Sequence, residues 1–398
     1  MNIETIAKGF KFLLENGLKE AIHRIRFGER HDVLRSYNYA RLSRSADSNV
    51  VKQVFPNSIN WFISGFLASS GGHINIMRFV QKLELLGYEC RIVIIDGEWM
   101  NDPESVRLKI IQAFGKLNAQ VFLGLSNAPA AYASIATGNN TAYYVNAFAQ
   151  SKTKFYFVQD FEPWFYARGS DYFFAEQSYK FNLVGLTAGH WLAEKLHLEY
   201  EMVTHPFGFS YDQMLYRKME RPFKEKKRVL FYARPETARR AYEIGILALD
   251  ELCRRKTNVE VVLAGSELSR YRVTFPHVIS GRVKVSQLGE LYNSCDVGLV
   301  LSMTNVSLLP LELMACGTPI VSNSGPWVEW LLSDKNAKLA SLDFIELANA
   351  LESVLFDDQE WKRLHLAGLH FAGSTSWDLE AQKVAAALRM YGCQPTPI

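Results

Sequence analysis

From residue 59 onward the chain alternates short apolar runs with segments of helical periodicity, and no other feature restricts the fold as much. An unbroken apolar run reads as a strand buried on both faces. The helical segments between runs supply the covering layers, so the pattern predicts parallel sheets flanked by helices. A first series places strands at 59–63, 90–95, 119–123, 142–145 and 154–158, with helices at 74–86, near 103–117 and near 128–138. A second places strands at 229–233, 259–264, 278–279, 297–301 and 319–322, with helices at 238–254, 285–293 and 309–315. The charged stretch 217–228 between them reads as a solvated linker. The expectation is an α/β protein with two Rossmann-like domains, 58–216 and 217–375, facing one another. Ligands of such sheets bind beyond the carboxyl ends of the strands. A chain of 398 residues is long enough for two such cores.

With 48% apolar and 21% charged residues, the composition is that of an ordinary globular protein and excludes disorder, collagen and coiled coil. Cys90, Cys253, Cys295, Cys316 and Cys393 show neither CxxC nor His pairing at ligand spacing. Neither a disulfide framework nor a zinc site is expected, and a reducing cytoplasm is the expected compartment. No apolar run reaches the roughly 18 residues of a membrane span, and the uncharged stretch 117–151 holds too many amides for a bilayer core. Residues 1–52 carry ten Lys/Arg against six Asp/Glu, which leaves the remainder at −1. Within them Ile6, Phe10, Leu13, Leu14, Leu18, Ile22 and Ile25 recur at helical spacing beside Lys8, Lys11, Lys19, Arg24 and Arg26, an amphipathic helix with a basic face. Two readings of this extension stay open: a helix on a membrane surface, and one packed against its own domain or a second subunit. The near-neutral domains carry no basic stripe, so nucleic acid is not an expected partner.

Chemistry concentrates at the predicted carboxyl ends of strands. Strand 297–301 runs into a loop of small polar residues and a short helix holding one acid, Glu312, which alone reads equally as a surface carboxylate. The first turn of that helix can offer free N–H groups to a phosphate. Strand 229–233 delivers Arg234, and Arg239 and Arg240 follow at a helix start. Their fork geometry and permanent charge suit a diphosphate, and solvated capping arginines are the alternative. In the loop Ser69-Ser70-Gly71-Gly72-His73, Gly71 and Gly72 let backbone approach an anion. The loop is neither a P-loop nor GxGxxG, so no nicotinamide cofactor is expected. Strand 154–158 ends in Gln159-Asp160-Phe161-Glu162-Pro163-Trp164, where carboxylates beside aromatic rings suit a sugar. Asp160 is a candidate general base or a helix cap, and Gln159, Glu162 and Trp164 are candidate sugar or acceptor contacts.

The segment Pro310-Leu311-Glu312-Leu313-Met314-Ala315-Cys316-Gly317-Thr318-Pro319 resembles the donor-binding signature of GT-B glycosyltransferases of the family-4 type. The resemblance implies that Glu312 binds the ribose hydroxyls of a nucleotide, and that the preceding loop, with Ser307, Leu308 and Leu309, approaches the diphosphate and sugar. It implies diphosphate contacts for Arg234 and Arg239, with Arg240 beside them, and nucleotide contacts around Gly265, Val283 and Leu288. Gly71 and Gly72 would face the phosphates across the cleft. His73 would join Asp160 as a candidate catalytic residue touching donor or acceptor, a helix-capping role being its alternative. The family usually has a further Glu eight positions before the second, where this chain has Thr304. Gly71-Gly72-His73, Phe157 to Pro163, Tyr232-Ala233-Arg234-Pro235 and Ser302 to Glu312 together look most like WsaF-type bacterial rhamnosyltransferases. Those relatives also lack the first Glu, carry an N-terminal helical extension and use dTDP-L-rhamnose to build surface polysaccharide. Ser376-Trp377-Asp378 matches the family's closing segment, so 376–398 is expected to be a helix crossing back to the first domain, plus a tail, and 1–57 the extension.

The resemblance therefore implies a GT-B glycosyltransferase that moves L-rhamnose from dTDP-L-rhamnose to a hydroxyl of a growing glycan or lipid-linked oligosaccharide. It would work in the cytoplasm, at or near the inner face of the membrane. No metal is expected, since no Asp-x-Asp is present, and no other cofactor. A UDP- or GDP-sugar donor, a nucleotide-sugar epimerase and a sugar-binding scaffold of a glycan assembly complex remain alternatives. Acceptor, linkage, stereochemical course and oligomeric state are left open.

Overall fold

The computed structural model describes residues 33–42, 53–68, 70–95, 97, 102–220 and 225–396. Residues 1–43 and 44–398 form separate compact units. In the first, Val33–Ser36 is a single helical turn followed by a 3-10 turn, Asn38–Arg41. The basic amphipathic helix expected over residues 6–26 lies outside the described residues, as does Ser69.

The second unit holds two parallel sheets. Strands β1 (Ser58–Ile63), β2 (Glu89–Ile94), β3 (Gln120–Leu123), β4 (Ala131–Ala136), β5 (Ser151–Val158), β6 (Val184–Ala188) and β7 (Thr204–Phe207) form the first, in the order β3-β2-β1-β4-β5-β6-β7. Strands β8 (Lys227–Tyr232), β9 (Val259–Ala264), β10 (His277–Gly281), β11 (Val297–Val300), β12 (Ile320–Asn323) and β13 (Lys338–Ala340) form the second, in the order β10-β9-β8-β11-β12-β13. Every residue of β1 and of β11 is buried, as strands covered by helices on both faces must be. The strand order reverses between β1 and β4 and again between β8 and β11, which opens a crevice at the carboxyl edge of each sheet.

The structure departs from the expected elements at several points, among them the stretch between β12 and residue 376, where no element was expected and β13 and the helices Phe344–Phe356 and Asp358–Gly373 form. Residues 128–138, expected as a helix, hold β4, and residues 142–145, expected as a strand, lie inside the helix Asn139–Ala147. Alanine favours helix and aromatic or β-branched residues favour strand, so local propensity inverted both. Burial decides instead: β4 runs between β1 and β5, where small side chains fit. Between β5 and β8 the sequence reading placed nothing, yet two helices, Ser170–Ser178 and His190–Tyr200, precede β6 and β7. The expected helix 238–254 is interrupted: Ala238–Arg240 is a 3-10 turn, Ala241 takes a left-handed φ of 47°, and the helix proper is Tyr242–Arg255.

The last helix, Trp377–Met390, follows Asp358–Gly373 and packs on the first sheet, against β7 and the helix Gly71–Leu85. Its Trp377 ring lies 6.0 Å from Phe79 and 6.4 Å from Phe209, and Glu380 accepts the Gly208 N–H. The tail beyond it returns to the foot of β1. Gln394 N–H donates to the Pro56 carbonyl at 2.9 Å and Thr396 N–H to the Gly87 carbonyl at 3.0 Å. Asn57 Nδ2 donates to Thr396 Oγ1 at 2.9 Å. Gly87 is required here: its φ is 90°, and a Cβ would lie 2.3 Å from the Thr396 carbonyl oxygen. Among the described residues no helix is long and apolar enough to cross a membrane.

Candidate active site

The carboxyl edge of the second sheet carries three arginines. Arg234, two residues past β8, is half-exposed, with its Nε 3.5 Å from Glu236 Oε1 and its guanidinium 5.7 Å from the Tyr232 ring centre. The left-handed Ala241 ends the 3-10 turn, and in that turn Arg239 and Arg240 reach the seam between the sheets. The Arg239 guanidinium sits 4.1 Å over Phe165, in the 3-10 turn that follows β5, and its Nε is buried without a hydrogen-bond partner. Arg240 Nη1 donates to Ser302 Oγ at 2.7 Å. Burial lowers the Arg240 guanidinium to about 10, a shift that the nearby Asp160 opposes.

Asp160, just past β5, turns its carboxylate to the other sheet's loop. Oδ2 accepts from Thr304 Oγ1 at 2.8 Å, and Oδ1 accepts from the backbone N–H of Asn305 and of Phe161, each at 2.8 Å. Burial raises this carboxyl, while the Asn305 N–H and the arginines lower it. The Asn305 side chain crosses the same seam. Its Nδ2 donates to the carbonyls of Gln159 (2.9 Å) and Ala188 (2.8 Å), and its Oδ1 accepts from Trp330 Nε1 at 2.6 Å. Gln159 in turn donates to the Gly72 carbonyl at 3.1 Å and accepts from Asn75 Nδ2 at 3.2 Å. His73 Nδ1 accepts the Leu67 N–H at 3.2 Å, and burial lowers its imidazole. Gly71 opens its helix with free space where a side chain would stand.

Glu162 is buried at the start of the 3-10 turn Glu162–Phe165 that follows β5. Oε1 accepts from Tyr156 (2.8 Å), Oε2 from the Asn139 N–H (2.6 Å), and burial pushes the carboxyl up to about 7. Trp164 packs 5.7 Å from Trp327 and 5.8 Å from Trp191, an aromatic seam between the sheets. Glu312, in the first turn of Leu309–Ala315, accepts from Tyr292 at 3.3 Å and from Tyr216. Those rings stack at 5.7 Å, and burial pushes Glu312 up to about 7. Arg78, from the first sheet's side, lies 4.4 Å over Trp377, bonds Asn75 Oδ1 at 2.9 Å and feels the charges of Asp212 and Glu312. Ser307 and Leu308 are half-buried ahead of the buried Leu309. Gly265 has φ 117° beside Tyr232, whose ring a Cβ would meet at 2.9 Å. Val283 lines a pocket of about 580 Å³ with Ser280, Gln287 and Leu291, while Leu288 packs on the core.

The structure thus brings Asp160, Gln159, Arg239, Arg240 and Thr304 together and keeps Glu162 in a hydrogen-bonded set of its own. Arg78, Asn305 and Tyr216 escaped the sequence reading. Asn305 lay inside a stretch already singled out, but nothing local marks an amide as spanning two sheets. Three guanidinium groups with two carboxylates, Asp160 and Glu236, leave local positive charge, and the unpartnered Arg239 Nε is a donor in want of an acceptor.

The two facing parallel sheets and their shared seam define the class: the chain has the architecture of a GT-B glycosyltransferase. It superposes on sucrose-phosphate synthase from Thermosynechococcus elongatus with a TM-score of 0.65 at 13% identity, over 84% of this chain and 98% of that one. It superposes on Alr3699/HepE of Anabaena, solved with UDP and glucose, with a TM-score of 0.63 at 13% identity, over 84% and 99% of the two chains. Within that architecture, residues 227–353 match the family described as WsaF, C-terminal domain. It is 33% identical over 346 residues to the O-antigen biosynthesis protein RfbC of Myxococcus xanthus, a match that takes in 84% of this chain. The chain spans 27% of that relative's length.

Proposed function

We propose that this protein transfers a sugar from a nucleoside-diphosphate donor to a hydroxyl of a growing bacterial surface polysaccharide, and that the donor is dTDP-L-rhamnose. The observation that carries the reading is the arginine cluster at the carboxyl edge of the second sheet, with the buried Arg239 Nε left unpartnered. A departing nucleoside diphosphate develops negative charge as its bond to the sugar breaks, and fixed guanidinium groups stabilise that charge without reorganising. Arg234, Arg239 and Arg240 neutralise the diphosphate, and Glu312 accepts the ribose hydroxyls. The aromatic seam around Trp164 and Trp327 keeps water from the activated sugar. The likeness to an O-antigen biosynthesis protein supports the polysaccharide, and the WsaF-type resemblance supports the rhamnose. The excess of basic residues in 1–52 supports a place on the cytoplasmic face of an anionic membrane.

Calorimetric titration with dTDP, UDP and GDP, with inorganic phosphate as control, tests this. Selective binding of dTDP is expected, and Arg239→Ala should weaken it by about tenfold or more through loss of charge-assisted hydrogen bonds. Preference for UDP or GDP would keep the enzyme and change the sugar. Binding of none of the three would overturn the reading in favour of a scaffold.

A further inference from the structure

We propose that Asp160 and Asn305 are positioning residues, a two-pronged clasp by which the first sheet fixes the loop 302–308 and, through it, the backbone of Arg239 and the side chain of Arg240. The first prong is the Asp160 carboxylate, which takes the Thr304 hydroxyl on Oδ2 and the Asn305 N–H on Oδ1. The second is the Asn305 side chain, which uses both of its amide hydrogens on the carbonyls of Gln159 and Ala188, at the carboxyl ends of β5 and β6, and its oxygen on Trp330. No hydrogen of that amide is left over, so it serves as a peg rather than as a ligand contact. The loop so held is bonded to both arginines. Ser302 Oγ accepts from Arg240 and turns its own hydrogen to the Thr304 and Asn305 carbonyls, and the Met303 N–H donates to the Arg239 carbonyl at 2.8 Å. An unbroken path of hydrogen bonds therefore runs from the end of β5 to the Arg240 guanidinium and to the Arg239 backbone.

This assignment differs from that of a general base. A carboxylate offers about four lone-pair positions, and three donors already occupy Asp160: Phe161 N–H, Asn305 N–H and the Thr304 hydroxyl. Thr304 fits the same logic, since a carboxylate at that position would face Asp160 with like charge, whereas a hydroxyl donates to it. A clasp and a base make opposite demands on the conservative variant. In Asp160→Asn the amide oxygen still accepts both N–H groups and the amide nitrogen donates to the Thr304 oxygen, so the clasp survives while the charge and the basicity are gone.

The inference rests on the nucleotide-sugar reading for what the arginines hold, but the clasp can be measured without it. Hydrogen–deuterium exchange of peptides covering 302–308 should speed up by about tenfold in Asp160→Ala and detectably in Thr304→Val, and return to the wild-type rate in Asp160→Asn. Thr304→Val carries this arm if Asp160→Ala does not fold. Binding of dTDP, UDP and GDP should weaken in step in Asp160→Ala, and be rescued in Asp160→Asn to at least wild-type strength because a charge opposing the diphosphate has been removed. Unchanged exchange in both Asp160→Ala and Thr304→Val overturns the clasp, and so does fast exchange in Asp160→Asn. Loss of sugar transfer in Asp160→Asn with exchange and nucleotide affinity intact would make Asp160 a chemical participant and also overturn the proposal. A wild-type protein that binds none of the nucleotides would instead sink the donor reading, and exchange alone would then judge the clasp.

Discussion

Glu162 and Glu312 are both held up to about 7 by the cost of ionising away from water, and they face different surroundings. Glu162 is surrounded by its own partners, Tyr156 and the Asn139 N–H. Its folded value lies above its unfolded one, so the native state binds the extra proton between about 4.5 and 7, and stability falls as pH rises through that window. Glu162→Gln, whose amide can accept from Asn139 and donate to the Tyr156 oxygen, should flatten that fall in urea midpoints measured from pH 4.5 to 8. Glu312 instead faces two tyrosine hydroxyls and the charge of Arg78. If its carboxylate accepts ribose hydroxyls, nucleotide affinity should rise by about tenfold between pH 6 and 8 as the ionised fraction grows, and Glu312→Gln should abolish the rise. The arginines and Glu312 were legible because their spacing lies within single strand-to-helix turns. Asn305 and Arg78 were not, because what gives each its surroundings is an element more than a hundred residues away or a ring at the far end of the chain.

At the scale of elements, alternation made the parallel strands legible wherever the run was rich in Val, Ile and Leu, as in β2, β9 and β11. It failed at Ala131–Ala136 and Asn139–Ala147, where packing between neighbours overrode composition. Helix Tyr242–Arg255 shows how closely such packing is set. Gly245 lies against the Phe231 ring of β8, and a Cβ there would come within 2.2 Å of it. Gly245→Ala would gain about 1 kcal/mol in intrinsic helix propensity. The clash should outweigh that gain, giving a net loss of about 1–2 kcal/mol in denaturant unfolding, and a stabilised variant would show that the helix can lift off β8 at little cost.

At the scale of the whole unit, one helix links the far end of the chain to the first sheet. Trp377 is buried among Phe79, Phe209 and the Arg78 guanidinium. Trp377→Ala should cost about 3–5 kcal/mol, read as a lowered urea midpoint of the entire unit. A transition that splits into two, with only one half destabilised, would mean that the sheets unfold independently. Beyond that helix, residues 394–396 lie hydrogen-bonded to residues 56, 57 and 87. The path of the backbone through this unit is therefore nearly a closed ring, entered and left at one spot. Joining residue 396 to residue 56 by a short bridge and cutting the ring at the charged stretch 217–226 would give a circular permutant in which the second sheet is synthesised before the first. Every strand would keep its neighbours, and only the order of synthesis would change.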